Sequence, residues 1–157
     1  MSDDRAYRRG VGVMLLNREG RAWVGARIDN PEDAWQMPQG GIDADEDPWA
    51  TALRELEEET GIEPRLVERI ACCPERLRYE LPDEWRRRLW GGKWAGQEQD
   101  WFLARFLGRD SDVDIATAHP EFRDWKWVSP DRLPELIVPF KRDLYRRLLD
   151  EFGDYLR

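Results

Sequence analysis

Apolar residues fall into short blocks with two different periods. Residues 10–16 (GVGVMLL) predict a buried strand, NREG (17–20) has turn chemistry, and AWVGAR (22–27) predicts the returning strand. A polar loop, IDNPEDA, leads into WQMPQGG (35–41). The spacing then becomes helical over residues 48–60. Asp47 is a suitable N-cap, Pro48 fits the first helical position, and Gly61 supplies the stop. After Pro64, LVERIACC (66–73) predicts a strand and RLRYEL (76–81) its continuation. DEWRRRLWGGKWAGQ (83–97) predicts a short helix and a long, mobile loop. EQDWFLARFL (98–107) predicts a strand, DVDIATAHPEF (112–122) a loop, and DWKWVS (124–129) an alternating strand. PDRLPELI (130–137) predicts a short helix. FKRDLYRRLLDEF (140–152) predicts a longer one with Leu144, Leu148, Leu149 and Phe152 at helical spacing. The order β, β, α, β, β, β, α implies an α/β (α+β) fold with a mixed sheet between helices, as one domain over residues 1–157.

Composition narrows the class. Of 157 residues, 41% are hydrophobic and 37% charged, which suits a soluble globular chain. No apolar run approaches the ~20 residues of a membrane helix, and MSDDRAYRRG lacks the apolar core of a signal peptide. The expectation is a cytoplasmic protein without a membrane partner. A net charge of −8 argues against extensive duplex DNA binding, although a local phosphate site remains compatible with it. Lysine occurs only at Lys93, Lys126 and Lys141, so the cations are almost all arginines, the side chain suited to bidentate phosphate contacts. Cys72 and Cys73 are adjacent and read as packing, one inward and one outward; His119 alone makes no histidine metal site. No motif identifies a protein partner.

The segment GGIDADEDPWATALRELEEETGIEP (40–64) carries the chemistry. At about 100° per residue, Trp49, Ala52, Leu53, Leu56 and Thr60 share a buried arc, Glu57 points away, and Glu55, Glu58 and Glu59 converge beside the core. Two carboxylates ~6 Å apart repel by roughly 3 kcal/mol at an effective dielectric near 20. No Lys follows at i+4 to relieve this, so the pattern predicts a divalent cation. All-oxygen ligands point to Mg²⁺ or Mn²⁺ rather than zinc. Such a cation in an enzyme usually accompanies phosphate, and Gly40 and Gly41 let the backbone approach either.

Gly40, Glu46 and Arg54-Glu55-Leu56-Glu57-Glu58-Glu59-Thr60-Gly61-Ile62 resemble the complete Nudix box, G-x5-E-x7-R-E-U-x-E-E-x-G-U, over residues 40–62. YRRGVGVMLLN, WQMPQGG, RLRYELP, GQEQDWFL, HPEFRDWKWV and FKRDLYRRLLDEF extend the likeness to the bacterial RNA pyrophosphohydrolase and dinucleoside polyphosphate hydrolase subfamily. The resemblance implies a Nudix α/β/α sandwich and Mg²⁺-dependent hydrolysis of a nucleoside diphosphate linked to another group, with Mn²⁺ or other divalent cations able to substitute. It implies Glu55, Glu58, Glu59 and the Gly40 carbonyl as metal ligands, Arg54 as the residue that orients the glutamates, and Glu46 as structural. Glu121 would join the metals as a fourth carboxylate or general base. Glu58 is the other candidate base. Arg8, Arg27 and Lys141 would contact phosphates, Gln39 would line the site, and Phe140, with Trp35 and Tyr79, could stack a base. The nucleotide partner would be an RNA 5′ end or a dinucleoside polyphosphate; an alternative is a dedicated diadenosine tetraphosphate hydrolase releasing ATP and AMP, and a lesser one a non-catalytic nucleotide-binding Nudix module. Glu98 and Asp100 stand where some RNA-active relatives carry lysines, and Arg9 where the pattern often has proline.

Overall fold

A computed structural model describes residues 7–88 and 90–156. The signal-peptide question therefore concerns residues mostly outside the described ones. Seven strands form one mixed sheet. β1 (Tyr7–Leu16) runs parallel to β6 (Gly96–Phe106), and every other pairing is antiparallel. β2 (Ala22–Arg27) joins β1 near Leu16 and carries β7 (Phe122–Val128) at its outer edge. β4 (Val67–Cys72) and β5 (Leu77–Glu80) lie along the far side of β6.

Alternation along β1 and β6 divides the core in two. Val11, Val13, Leu15, Phe102, Ala104 and Phe106 face α1 (Pro48–Thr60) and meet Ala52 and Leu56. Met14, Leu16, Trp101 and Leu103 face the opposite layer, α3 (Leu133–Leu136) and α4 (Arg142–Glu151), and meet Leu133, Leu144, Tyr145 and Leu148. Each fully buried Leu or Phe contributes about 1.5–3 kcal/mol. The three-layer α/β/α arrangement thus follows from β1 and β6 being apolar on both faces, each face covered by its own helical layer. No helix among the described residues is long and apolar enough to cross a membrane.

Several elements differ from the sequence expectation for local reasons. β1 and β6 each begin earlier than predicted, because Tyr7–Arg9 and Gly96–Glu98 complete their parallel ladder. Gln39–Gly41 forms a three-residue strand, β3, against Gly10–Gly12. Three residues, two of them glycine, carry no readable period. RLRYEL is a separate strand rather than a continuation of β4; the break falls at Cys73-Pro74, where proline cannot donate to the ladder. After α2 (Asp83–Arg88), Trp90–Gly92 form a single turn where a loop was predicted. The last helix is preceded by a separate turn at Pro139–Lys141. Cys72 is exposed and Cys73 buried.

The ends of α1 behave as their residues require. Asp47 Oδ2 accepts from the Ala50 N–H at 2.9 Å. Gly61 takes φ +74°, and its N–H reaches the Glu57 carbonyl at 2.8 Å. A Cβ at Gly61 would also come within 2.7 Å of the Asp114 carbonyl oxygen. Gly61→Ala should therefore lower unfolding stability by more than about 1 kcal/mol in denaturant melts. An unchanged midpoint would contradict this account of the helix end.

Candidate active site

α1 presents its glutamates in three different environments, a distinction the helical wheel did not make. Glu57 is exposed as expected. Glu58 is 56% exposed at its side chain and Glu55 17%. Glu59 is 1% exposed. The buried arc also includes Thr51, whereas Trp49 and Leu53 are only partly covered. Glu59 Oε1 accepts a long hydrogen bond from the Gln39 N–H at 3.4 Å, and its buried Oε2 has no partner.

The segment before the helix is tied down by Glu46. Its carboxylate accepts from the Asp43 N–H at 3.0 Å, the Thr51 hydroxyl at 3.1 Å and Arg54 at 3.1 Å. The same guanidinium reaches Glu55 at 3.3 Å and Glu58 at 3.2 Å. Arg54 therefore supplies counter-charge on the helix itself, in contact with two of the glutamates that the resemblance has it orient. Gly40 lies against the Glu55 carboxyl group and Gly41 against the Arg8 guanidinium, in each case where a Cβ would collide. A side chain at either position would displace the Glu55 carboxyl group or the Arg8 guanidinium from its present place.

Glu121 arrives from the other end of the sheet. The Ile28 N–H donates to its carbonyl at 2.9 Å, and a register shift between Ala26 and Arg27 bends the pairing with β7 there. Arg27 holds Asp29 through two hydrogen bonds, at 2.8 and 2.9 Å, and lies 3.9 Å from Glu121. Arg27 is thus partly neutralised before any ligand arrives.

Glu55, Glu58, Glu121 and Arg27 line a cleft of about 630 Å³ together with Arg8, Gln39, Tyr79, Phe140 and Lys141, whereas the buried Glu59 lies behind that lining. One end is ionic and the other aromatic. At the aromatic end, Phe140 lies 6.0 Å from Tyr79 and 5.7 Å from Trp85 between ring centroids. Arg88 covers the Trp85 ring at 5.3 Å. The buried Lys141 ammonium sits 4.8 Å above Tyr79. Trp35 is outside the lining: it is buried in the core, and Lys126 covers its ring at 4.1 Å. Sequence reasoning missed Trp85 and Arg88, whose short helix gives little periodicity, and Gln36, hidden beside the better-known residues of its motif. Gln97, Gln99 and Trp101 alternate inward on β6. Gln99 donates to Gln39 at 2.9 Å and accepts from the Trp101 indole at 2.9 Å, linking the cleft floor to the core.

Burial and like charge dominate the electrostatics. Desolvation, then Glu58, pushes Glu55 up to about 7. Desolvation, then Glu121 and Glu55, pushes Glu59 well above the usual carboxylate range. Burial also raises Glu121, against the opposing pull of Arg27. Burial and the Arg27 charge bring Lys141 down to about 7. A buried, unpartnered carboxylate oxygen among mutually repelling carboxylates fits a hard divalent cation. Among the described residues, no group of three such side chains is gathered as a ready-made metal site. Arg54 draws Glu55 and Glu58 to itself instead.

A family model described as the NUDIX domain matches residues 6–148. Proteins named RNA pyrophosphohydrolase are similar along nearly the whole chain. The one from Sphingopyxis alaskensis is 56% identical over 151 residues, 96% of each chain. That from Erythrobacter litoralis is 56% identical over 152 residues, 96% of this chain and 93% of its own. A solved Caenorhabditis elegans Ap4A hydrolase complex superposes with TM-score 0.67 at 22% identity, covering 95% of this chain and 97% of its own. Escherichia coli dihydroneopterin triphosphate pyrophosphohydrolase superposes with TM-score 0.70 at 21% identity, covering 90% and 96%. These two likenesses establish a shared fold.

A raised carboxyl pKa favours the neutral form in the folded state. Stability from Glu55 and Glu59 is therefore full below about 4.5 and is lost as pH rises through their raised folded-state values, about 7 for Glu55. Lys141 acts above about 7, where its depressed pKa makes stability rise with pH, so the test belongs mainly below that value. In chelator, thermal stability should fall between pH 5 and 7, and Mg²⁺ or Mn²⁺ should raise Tm more at pH 7 than at pH 5. Equal metal stabilisation at both would contradict a carboxylate cation site.

Proposed function

The chain belongs to the NUDIX family, and on that premise we propose that it is a Mg²⁺-dependent pyrophosphohydrolase acting on 5′-triphosphorylated RNA ends and on dinucleoside polyphosphates. The observation that carries this reading is the cleft with carboxylates and arginines at one end and aromatic rings at the other. It suits a ligand with a polyphosphate at one end and a base at the other. The high similarity to proteins named RNA pyrophosphohydrolase supports the RNA substrate.

Glu55, Glu58, Glu59, Glu121 and the Gly40 carbonyl are the residues we assign to the cation. When bound, it would polarise phosphoryl oxygens, offset developing charge and acidify an attacking water. Arg54 positions Glu55 and Glu58 from a guanidinium itself held by Glu46. Arg8, Arg27 and Lys141 offset charge on non-bridging oxygens, and Gln39 lines the floor. An attacking water gives its proton to Glu58 or Glu121. Phe140, with Tyr79 behind it and Trp85 beside it, offers a face for a base. An RNA 5′-triphosphate would yield 5′-monophosphate RNA and pyrophosphate; diadenosine tetraphosphate would yield ATP and AMP. A cytoplasmic location belongs to the same reading.

A second reading, a dedicated diadenosine tetraphosphate hydrolase, is favoured by one observation. Arg9, Arg76 and Arg78 could attract an RNA chain, yet Glu98 holds Arg78 at 2.7 Å and Arg76 at 3.5 Å, while Asp100 holds Arg9 at 3.2 Å. The arginines of these pairs remain solvent-accessible, and pairs near the surface are weak, about 0–1 kcal/mol each, so the patch is damped rather than closed to phosphate.

Glu58→Gln should remain folded and lose at least about a hundredfold in turnover with Mg²⁺, because it removes a charge aimed at the reacting centre. Near-normal turnover would sink the metal-site assignment. Glu98→Gln combined with Asp100→Asn should lower KM for triphosphorylated RNA about threefold at low salt and leave the dinucleotide KM unchanged. Equal effects on both substrates would remove the patch from the substrate path.

A further inference from the structure

Gln36 lines the cleft, is only 7% exposed, and has a buried Nε2 without a hydrogen-bond partner. Its main chain is fixed on both sides. The Gln36 N–H donates to the Gly25 carbonyl at 2.9 Å, and its own carbonyl accepts from the Gly25 N–H at 2.8 Å. Next to it, the Trp35 N–H donates to the Leu136 carbonyl at 2.8 Å, and the Met37 N–H to the Tyr145 hydroxyl at 2.8 Å. A side chain on so fixed a backbone cannot relieve an unmet donor by moving the chain. Buried amides without partners are costly in proteins, and an unexplained one beside a cleft points to a group that arrives later.

The position selects the ligand chemistry. Gln36 bridges Gly25, two residues before Arg27 on β2, and Arg27 lies beside Glu121. This places Gln36 at the ionic end of the cleft. Glutamates and arginines already serve that end, so a neutral donor adds a directed hydrogen bond without changing the charge balance. We propose that Gln36 binds a non-bridging oxygen of the substrate polyphosphate through Nε2. As placed, Nε2 is sealed from the cleft, so binding requires the terminal amide to turn; its two ends have nearly the same shape, and an anionic oxygen selects the orientation that presents the N–H₂ group. The assignment rests on the polyphosphate reading above and adds a binding residue to it.

Gln36→Met keeps length and removes both polar ends. We expect kcat/KM to fall about tenfold and binding of inorganic tripolyphosphate with Mg²⁺, read by calorimetry, to weaken by a similar factor. The loss should be the same for adenine and guanine 5′ ends. Tm should stay level or rise, since an unmet buried donor has gone. A Tm several degrees lower with tripolyphosphate binding intact would make Gln36 structural and overturn the proposal. So would a loss confined to one base with tripolyphosphate binding unchanged. Gln36→Glu, which adds a negative charge, should weaken tripolyphosphate binding further; equal or tighter binding would contradict the proposal. A wild-type chain that binds tripolyphosphate but turns over neither nucleotide would defeat the enzymatic reading alone, and the Gln36→Met binding comparison would still decide the residue's role.

Discussion

The constraint on which the site depends is the burial of the Glu59 carboxyl group with one oxygen unmet. Its helix must keep Ala52 and Leu56 in the core, so Glu59 cannot turn outward without unpacking that layer. Glu55 and Glu121 add negative charge nearby, and both push its titration upward. A helix built this way is tense as an anion and relieved by a proton or a cation. Its neighbours follow from that. Gly40 leaves room for the Glu55 carboxyl, and Arg54 gathers the two more accessible glutamates while Glu46 braces it from behind.

The sheet turns this local tension into a cleft. Parallel pairing of β1 with β6 brings Arg8 opposite Gln97. β3 docks its glycines onto the same stretch of β1, directly before the acidic helix. The register shift at Arg27 sends the chain around Glu121 on the opposite wall. The turn at Pro139–Lys141 then sets Phe140 against Tyr79 and Lys141 above the same ring. Groups more than a hundred residues apart in sequence share one space because short, low-periodicity segments cross the ends of the strands.

Legibility in the sequence followed the strength of local physics. α1 could be read to both ends, because Asp47, Pro48 and Gly61 each act within one turn. β2 could be read because a short apolar run, buried on both faces, follows the NREG turn. β3 could not: its pairing is decided by close backbone approach at Gly10 and Gly40, a tertiary fact. The three glutamates were visible as a cluster, but their graded burial was not, since it depends on how the helix rolls against β1 and β6. Arg27 was visible as a cation, but its engagement by Asp29 and Glu121 was not. The resemblance offers Trp35 as a base platform, but motif position does not fix exposure, and its place in the core follows from packing against the helical layer.

The most direct measurement is product-resolved kinetics of the purified chain with Mg²⁺, comparing 5′-triphosphorylated RNA with diadenosine tetraphosphate under one set of conditions. The account predicts metal-dependent release of pyrophosphate from RNA, with kcat/KM at least about tenfold above that for the dinucleotide, a difference of ~1.4 kcal/mol in transition-state stabilisation. A preference of that size for the dinucleotide, or no Mg²⁺-dependent turnover of either substrate, would contradict it.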